Sequence, residues 1–135
     1  MHREGLLAPS TSLAHAVWLD DEEVARAGEA GVDIGHCPTS NCYLADGAIR
    51  LRDLRNAGAV VSLDTDGSAC NHRQDMFEQM KQSILVQRLN TLDPSAATAE
   101  QSLEMTTREG ARHLGSDAGV LVPGKFADIA VIDLQ

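Results

Sequence analysis

The chain repeats one arrangement three times: a short apolar run, a few polar or glycine-bearing residues, and a stretch with helical periodicity. "TSLAHAVWL" (11–19) reads as a strand. It is followed by "DDEEVARAGEAG" (20–31), where Asp20 and Glu23, three apart, form a capping-box pattern and Gly31 ends the helix. "VDIGHC" (32–37) reads as a second strand closed by Pro38, "TSNCYLADG" as a polar loop, and "AIRLRDLRNAG" (48–58) as a helix stopped by Gly58. Ala59 to Leu63 is the third strand. Strands alternating with helices over short connections specify parallel βαβ units, hence an α/β fold. Beyond them, "DMFEQMKQSILVQRLN" (75–90) sets Phe77, Met80, Ile84, Leu85 and Leu89 along one helical side, which predicts a face packed on a sheet. Residues 98–115 predict a further helix, with Thr98 and Gln101 as its cap and Gly115 as its stop. The tail "GVLVPGKFADIAVIDL" (119–134) has a Pro-Gly turn between two β-rich runs and predicts a hairpin or the start of a β-domain.

A length of 135 residues suffices for one compact core. It falls short of a complete α/β barrel, which takes about 250. The formal net charge of −9 argues against nucleic acid or an anionic membrane surface as partner, because both need clustered Lys and Arg. No apolar run approaches the roughly 20 residues of a membrane span, and "MHREGLLAPS" lacks the apolar core of a signal peptide, so a cytoplasmic protein is expected. Cys37, Cys42 and Cys70 are odd in number and lack C-x-x-C spacing, which fits reduced thiols better than a disulfide framework or a zinc ribbon.

In parallel sheets, reacting groups gather at the carboxyl ends of the strands. His15 follows Leu13-Ala14, His36 ends "VDIG", and Asp66 follows "VVSLDT", so all three are expected on one rim. Taken singly, each has an ordinary reading. Asp66 in "TDG" suits a turn or a helix cap as well as a metal, and His15 and His36 suit a hydrogen-bonded core as well as a site. Gathering three ionisable groups at one end of three strands is costly unless they bind a charge or a metal, which favours the functional reading. His72 and His113 read as structural, Cys37 and Cys70 as packing residues, and the Thr-Ser-Asn and Gly-Ser-Ala-Cys-Asn loops as donors able to hold a polar heterocycle or simply to turn the chain.

"LAHAVWLDDEEVARAGEAGVDIGHCPTSN", "GAVVSLDTDGSACNHRQDMFEQM" and "TTREGARHLGSDAGVLVPGKFADIAVIDL", in this order, resemble the carboxyl-terminal part of the amidohydrolase superfamily. The closest branch is the cytosine-deaminase-like group of methylthioadenosine/S-adenosylhomocysteine, guanine and 8-oxoguanine deaminases and triazine hydrolases. The resemblance runs from about Gly5 onward. It implies the last three or so βα units of a metal-dependent (β/α)8 barrel over residues 1–117, followed over 118–135 by strands of a small β-sandwich. It also implies one divalent ion, zinc or iron, and hydrolytic deamination of a purine-, pyrimidine- or triazine-type substrate. By the same resemblance His15 and Asp66 are catalytic and metal-binding, with Asp66 as proton shuttle, while His36, Asn41, Ser68, Asn71 and Trp18 contact substrate. Gly124, Lys125, Ala127 and Asp128 match the return into the sandwich.

Two positions depart from that pattern: Trp18 stands where a second His is common, and Cys70 where Ser is. The first-strand H-x-H pair, the fifth-strand His and the H-x-x-E glutamate have no counterpart here, and Met1–Leu7 resembles the middle of a longer protein. Two readings follow. One is a partial metal-dependent hydrolase, inactive as an isolated chain. The other is a non-catalytic partial barrel, an assembly or binding module that needs another chain to complete its site. Open strand edges and uncovered apolar faces predict self-association.

Overall fold

The computed structural model describes residues 5–133. Three short strands, β1 (Ser12–Ala14), β2 (Asp33–His36) and β3 (Val60–Leu63), form a parallel sheet in the order β1-β2-β3. Ser12 pairs with Asp33 and Asp33 with Val60, and this register runs on to His36 opposite Leu63. The α/β fold and its parallel pairing are as the alternating pattern predicts.

Helix α1 (Asp21–Glu29) crosses from β1 to β2. Its capping box is complete: Asp20 accepts from the Glu23 N–H at 2.8 Å, and the Glu23 carboxylate accepts from the Asp20 N–H at 3.0 Å. Such a cap stabilises a helix by about 1 kcal/mol. Val24 and Ala27 of α1 join Val32 just before β2, Ile34, Val61 and Leu63 of the sheet, and Leu51 and Leu54 of α3 (Leu51–Ala57) in a single buried cluster. Alternation along a strand places Ile34 and His36 on this helix-covered face, and Ser12, Ala14, Gly35, Val60 and Ser62 on the other. Gly28 lets α1 and α3 touch, since a Cβ there would lie 2.0 Å from the Ala57 carbonyl oxygen.

Four expectations change. The loop expected at 39–47 begins as a helix, α2 (Pro38–Leu44), with Pro38 at its first position and Ala45 left-handed at its end. Proline is preorganised for a first turn, and the polar residues that suggested a loop are buried, Ser40 and Asn41 with hydrogen bonds to Asp66 and His15. The helix expected over 98–115 is two, α6 (Ala99–Thr106) and α7 (Arg108–His113), broken at Thr107. There the hydroxyls of Thr106 and Thr107 bond back to the Ser102 and Leu103 carbonyls at 2.9 and 2.7 Å, a back-bonding that bends helices.

In α5 (Met76–Thr91), Met80 and Ile84 do pack on the core, but Phe77, Leu85 and Leu89 stay exposed. The buried line is Gln79, Ser83 and Gln87 instead. The irregular segment before α3 needs donors for its buried backbone, and the Gln87 amide supplies one to the Ile49 carbonyl at 3.0 Å. Finally, no strand forms over 118–133 among the described residues, and Leu121, Phe126, Ile129 and Val131 are exposed. A strand needs a partner ladder and a covered face, and the described residues offer this segment neither. The last residues of the expected β-region, Leu134 and Gln135, lie outside the described residues, as do Met1–Glu4.

Candidate active site

His15 sits one residue past β1 and Asp66 three past β3, both at the carboxyl ends of their strands. Each has a left-handed backbone, at φ 64° and 60°. Non-glycine residues held there cost roughly 1–2 kcal/mol and persist where surrounding bonds over-determine them. Those bonds are visible. The Asp66 Oδ1 accepts from the Gly67 N–H at 2.7 Å and its Oδ2 from the Ser40 hydroxyl at 2.6 Å, while the Asp66 N–H donates to Asp64 Oδ1 at 3.2 Å. The His15 Nδ1 lies 2.7 Å from the Asn41 Oδ1. Across the gap, His15 Nε2 is 3.6 Å from Asp66 Oδ2.

The Ser40 hydroxyl first, and then the Gly67 N–H, hold the Asp66 carboxyl below the usual carboxylate range. Asp66 is therefore held in its ionised, acceptor-only form.

Of the three groups expected to converge, two do. His36 is fully buried, on the helix-covered face by strand alternation, and neither ring nitrogen has a hydrogen-bond partner. Burial, and secondarily the charge of His15, push its pKa down to about 3, so it is neutral. Asn41, expected against substrate, is 2% exposed and turned to His15. Asn71 is equally buried and braces the loop, donating to the Thr65 carbonyl at 2.6 Å. Ser68 is exposed at the start of a one-turn helix, α4 (Ser68–Asn71), and accepts from the Gln74 amide at 3.2 Å, while Trp18 is 83% exposed beside Gly47.

Cys37 is buried and donates its thiol to the Gly35 carbonyl. Burial, then Asp64 and Asp66, raise that thiol to about 12, which leaves it a packing group. Sequence reasoning gave Ser40 no role of its own. The Pro38 helix start was the signal that would have placed Ser40 and Asn41 on one turn.

Two further features lie beside the pair. A groove of about 590 Å³ between α2 and α5, lined by Asn41, Ala45, Val86, Leu89 and Leu92 among others, touches neither His15 nor Asp66. On the sheet face away from the helical core, His113 of α7 bonds Ser12 through Nε2 at 2.6 Å and Ser62 through Nδ1 at 2.7 Å. It passes over Gly35, where a Cβ would lie 3.9 Å from the ring.

His15 and Asp66 together are two donors for a metal, whereas a zinc site needs three or four ligands. Among the described residues no group of three or more His, Cys, Asp or Glu is placed to hold one. The residues of this chain by themselves do not fit a tightly bound ion.

The Amidohydrolase family model matches residues 1–135. The chain belongs to the amidohydrolase family. This amidohydrolase chain is 45% identical over 131 residues to a 5'-deoxyadenosine deaminase of Methanothermobacter thermautotrophicus, covering 97% of this chain and 31% of that one. It is 43% identical over the same length to a 5-methylthioadenosine/S-adenosylhomocysteine deaminase of Thermococcus onnurineus, again 97% of this chain and 31% of the relative. Among solved structures, an adenosine deaminase from Xanthomonas campestris with bound zinc superposes with a TM-score of 0.90 at 32% identity, over 94% of this chain and 29% of that one. The chain thus spans about a third of the length of the relatives it matches. Among the described residues no helix is long and apolar enough to cross a membrane.

Proposed function

We propose that this chain supplies the closing part of a metal-dependent amidohydrolase that hydrolytically deaminates an amino-substituted N-heterocycle, with an adenosine-like purine favoured over pyrimidine or triazine types. The reading rests on one observation above the rest: His15 and Asp66 face each other at 3.6 Å from the ends of two strands, on strained backbones. The relatives' names, deaminases of 5'-deoxyadenosine and of methylthioadenosine, support the substrate class.

In this reading Asp66 accepts a proton from the attacking water as its oxygen bonds to the ring carbon. It then delivers that proton to the leaving amine as the C–N bond breaks, so that water and substrate become the oxo-heterocycle and ammonia. His15 orients the attacking water from the opposite side. Trp18, exposed on the same rim, offers a face for stacking the heterocycle, and Ser68 a hydroxyl at the first position of α4. The divalent ion, zinc or iron, belongs to the complete site, whose remaining donors lie outside this set. Residues 1–117 are assigned to the barrel and 118–135 to the strands that join the β-sandwich. The three free cysteines support a reducing compartment such as the cytoplasm.

The test is a chimera in which this chain replaces the matching 131 residues of the Methanothermobacter relative. A folded, zinc-loaded chimera should release ammonia from 5'-deoxyadenosine or another aminopurine nucleoside, and Asp66→Asn should abolish it. No release from the loaded chimera would overturn the reading. The chain alone should bind less than stoichiometric zinc and release no ammonia; full occupancy with turnover would refute its incompleteness.

A second reading, an assembly module completed by another chain, is favoured by the exposed Leu89, Leu92, Leu114 and Val131 and by the outer edges of β1 and β3, which have no strand partner among the described residues.

A further inference from the structure

Two consecutive residues on one turn of α2 hold the two members of the candidate pair: Ser40 bonds Asp66 and Asn41 bonds His15. Both are buried, at 0% and 2% exposure, so neither is replaced by solvent. The chemistry of the two bonds differs. A hydroxyl has a proton to give to a carboxylate, whereas an amide oxygen has none to give to a ring nitrogen. With the amide turned so that its oxygen faces the ring, as it is here, and its buried Nδ2 left without a partner, the proton in the contact comes from His15 Nδ1. In a neutral imidazole that leaves Nε2 as a lone pair, and Nε2 is the atom that faces Asp66.

We propose that Asn41 is a positioning residue that sets the polarity of this site: by accepting from His15 Nδ1 it fixes the Nδ1–H tautomer, so that His15 Nε2 and Asp66 Oδ2 present two acceptors to one shared point. The separation of 3.6 Å is too long for a direct hydrogen bond and short enough for one small species to touch both atoms. Two converging acceptors select a species with two donors, a water molecule, or one with positive charge, a cation. With the opposite tautomer Nε2 becomes a donor, which repels a cation and turns a bridging water round so that it accepts from His15 and donates to Asp66. The rigidity of the device follows from its placement. Asn41 lies in the first turn of a helix that starts at a proline and is buried through residues 38 to 41, and its N–H bonds the Cys37 carbonyl at 3.0 Å.

This inference rests on the reading of His15 and Asp66 as the reacting pair, but its test is spectroscopic and uses no turnover. The full chain is labelled with 15N and its imidazole two-bond proton–nitrogen correlations are recorded near pH 8.5, about two units above the ordinary imidazole range, with His15→Gln assigning the signals. His15 should show a protonated, pyrrole-type Nδ1 and an unprotonated, pyridine-type Nε2. The reverse pattern, or an averaged one, overturns the proposal.

Asn41→Asp keeps an acceptor and should keep the Nδ1 proton. Asn41→Leu removes it and should release the ring to the Nε2–H form that free imidazole favours. An Asn41→Leu chain that stays folded and still shows Nδ1–H also overturns the proposal. If that variant does not fold, the wild-type pattern and its retention in Asn41→Asp decide. A silent chimera would refute the deaminase reading and leave this one standing, and a reversed tautomer would do the opposite.

Discussion

His36 should make this protein lose stability in mild acid, by an amount set by one side chain. Its ring is fully buried with both nitrogens unpartnered, and its pKa lies near 3 against 6.5 for an ordinary histidine. Because the folded value is depressed, the unfolded chain takes up a proton below 6.5 that the folded chain refuses until about 3. Stability is therefore intact above 6.5 and falls as pH drops through the window between the two values. At 1.36 kcal/mol per pH unit, lowering the pH from about 7 to about 5 should cost about 2 kcal/mol from this residue alone.

At about pH 5 most carboxylates are still ionised, so they add little. The assay is urea unfolding at both pH values for the wild type and for His36→Leu, which fills a similar space without a titrating group. The variant should lose about 2 kcal/mol less than the wild type between the two conditions. An equal loss in both proteins, with unchanged denaturant slopes, would refute the argument that His36 is buried and neutral.

Two other outcomes follow from the packing. Gly28→Ala should lower stability by about 3 kcal/mol in thermal or urea unfolding, because the overlap with the Ala57 carbonyl outweighs the roughly 1 kcal/mol that alanine adds to a helix interior; an unchanged midpoint would mean that α1 and α3 are not in contact. Sedimentation at micromolar concentration should show dimers or larger species, since the sheet edges and the exposed leucines invite pairing; a single monomer species would rule out the homo-oligomer.

The strand and helix order was legible because hydrophobic period and caps agree locally: Asp20 with Glu23, and Thr98 with Gln101, close their boxes as the spacing predicts. His15 and Asp66 were legible from their place after a strand. His36 was not. Whether a residue at a strand end faces the helices or the opposite side depends on a one-residue phase, and the phase that buries Ile34 also buries His36. The second helix was hidden for a related reason. Thr39, Ser40 and Asn41 look like turn chemistry, but in the fold their polar groups are internal, two of them bonded to Asp66 and His15. Local propensity sees the residue types and not the partners 26 residues away. The tail shows the limit from the other side: its β-rich pattern finds no strand to pair with among the described residues.

The imidazole of His113 gives the sheet a second measure of its own width. β1 and β3 never touch; β2 separates them by two strand spacings, about 10 Å. Toward the interior of the sheet that span is closed by one ring gripping a hydroxyl on each side. At the carboxyl rim the same two strands send His15 and Asp66 toward each other and stop 3.6 Å short. One crossing is a finished rivet and the other an unfinished one of matched gauge. A change that spreads or pinches the outer strands must first stretch the rivet, so the width of the opening at the rim is tied to two hydrogen bonds made below it.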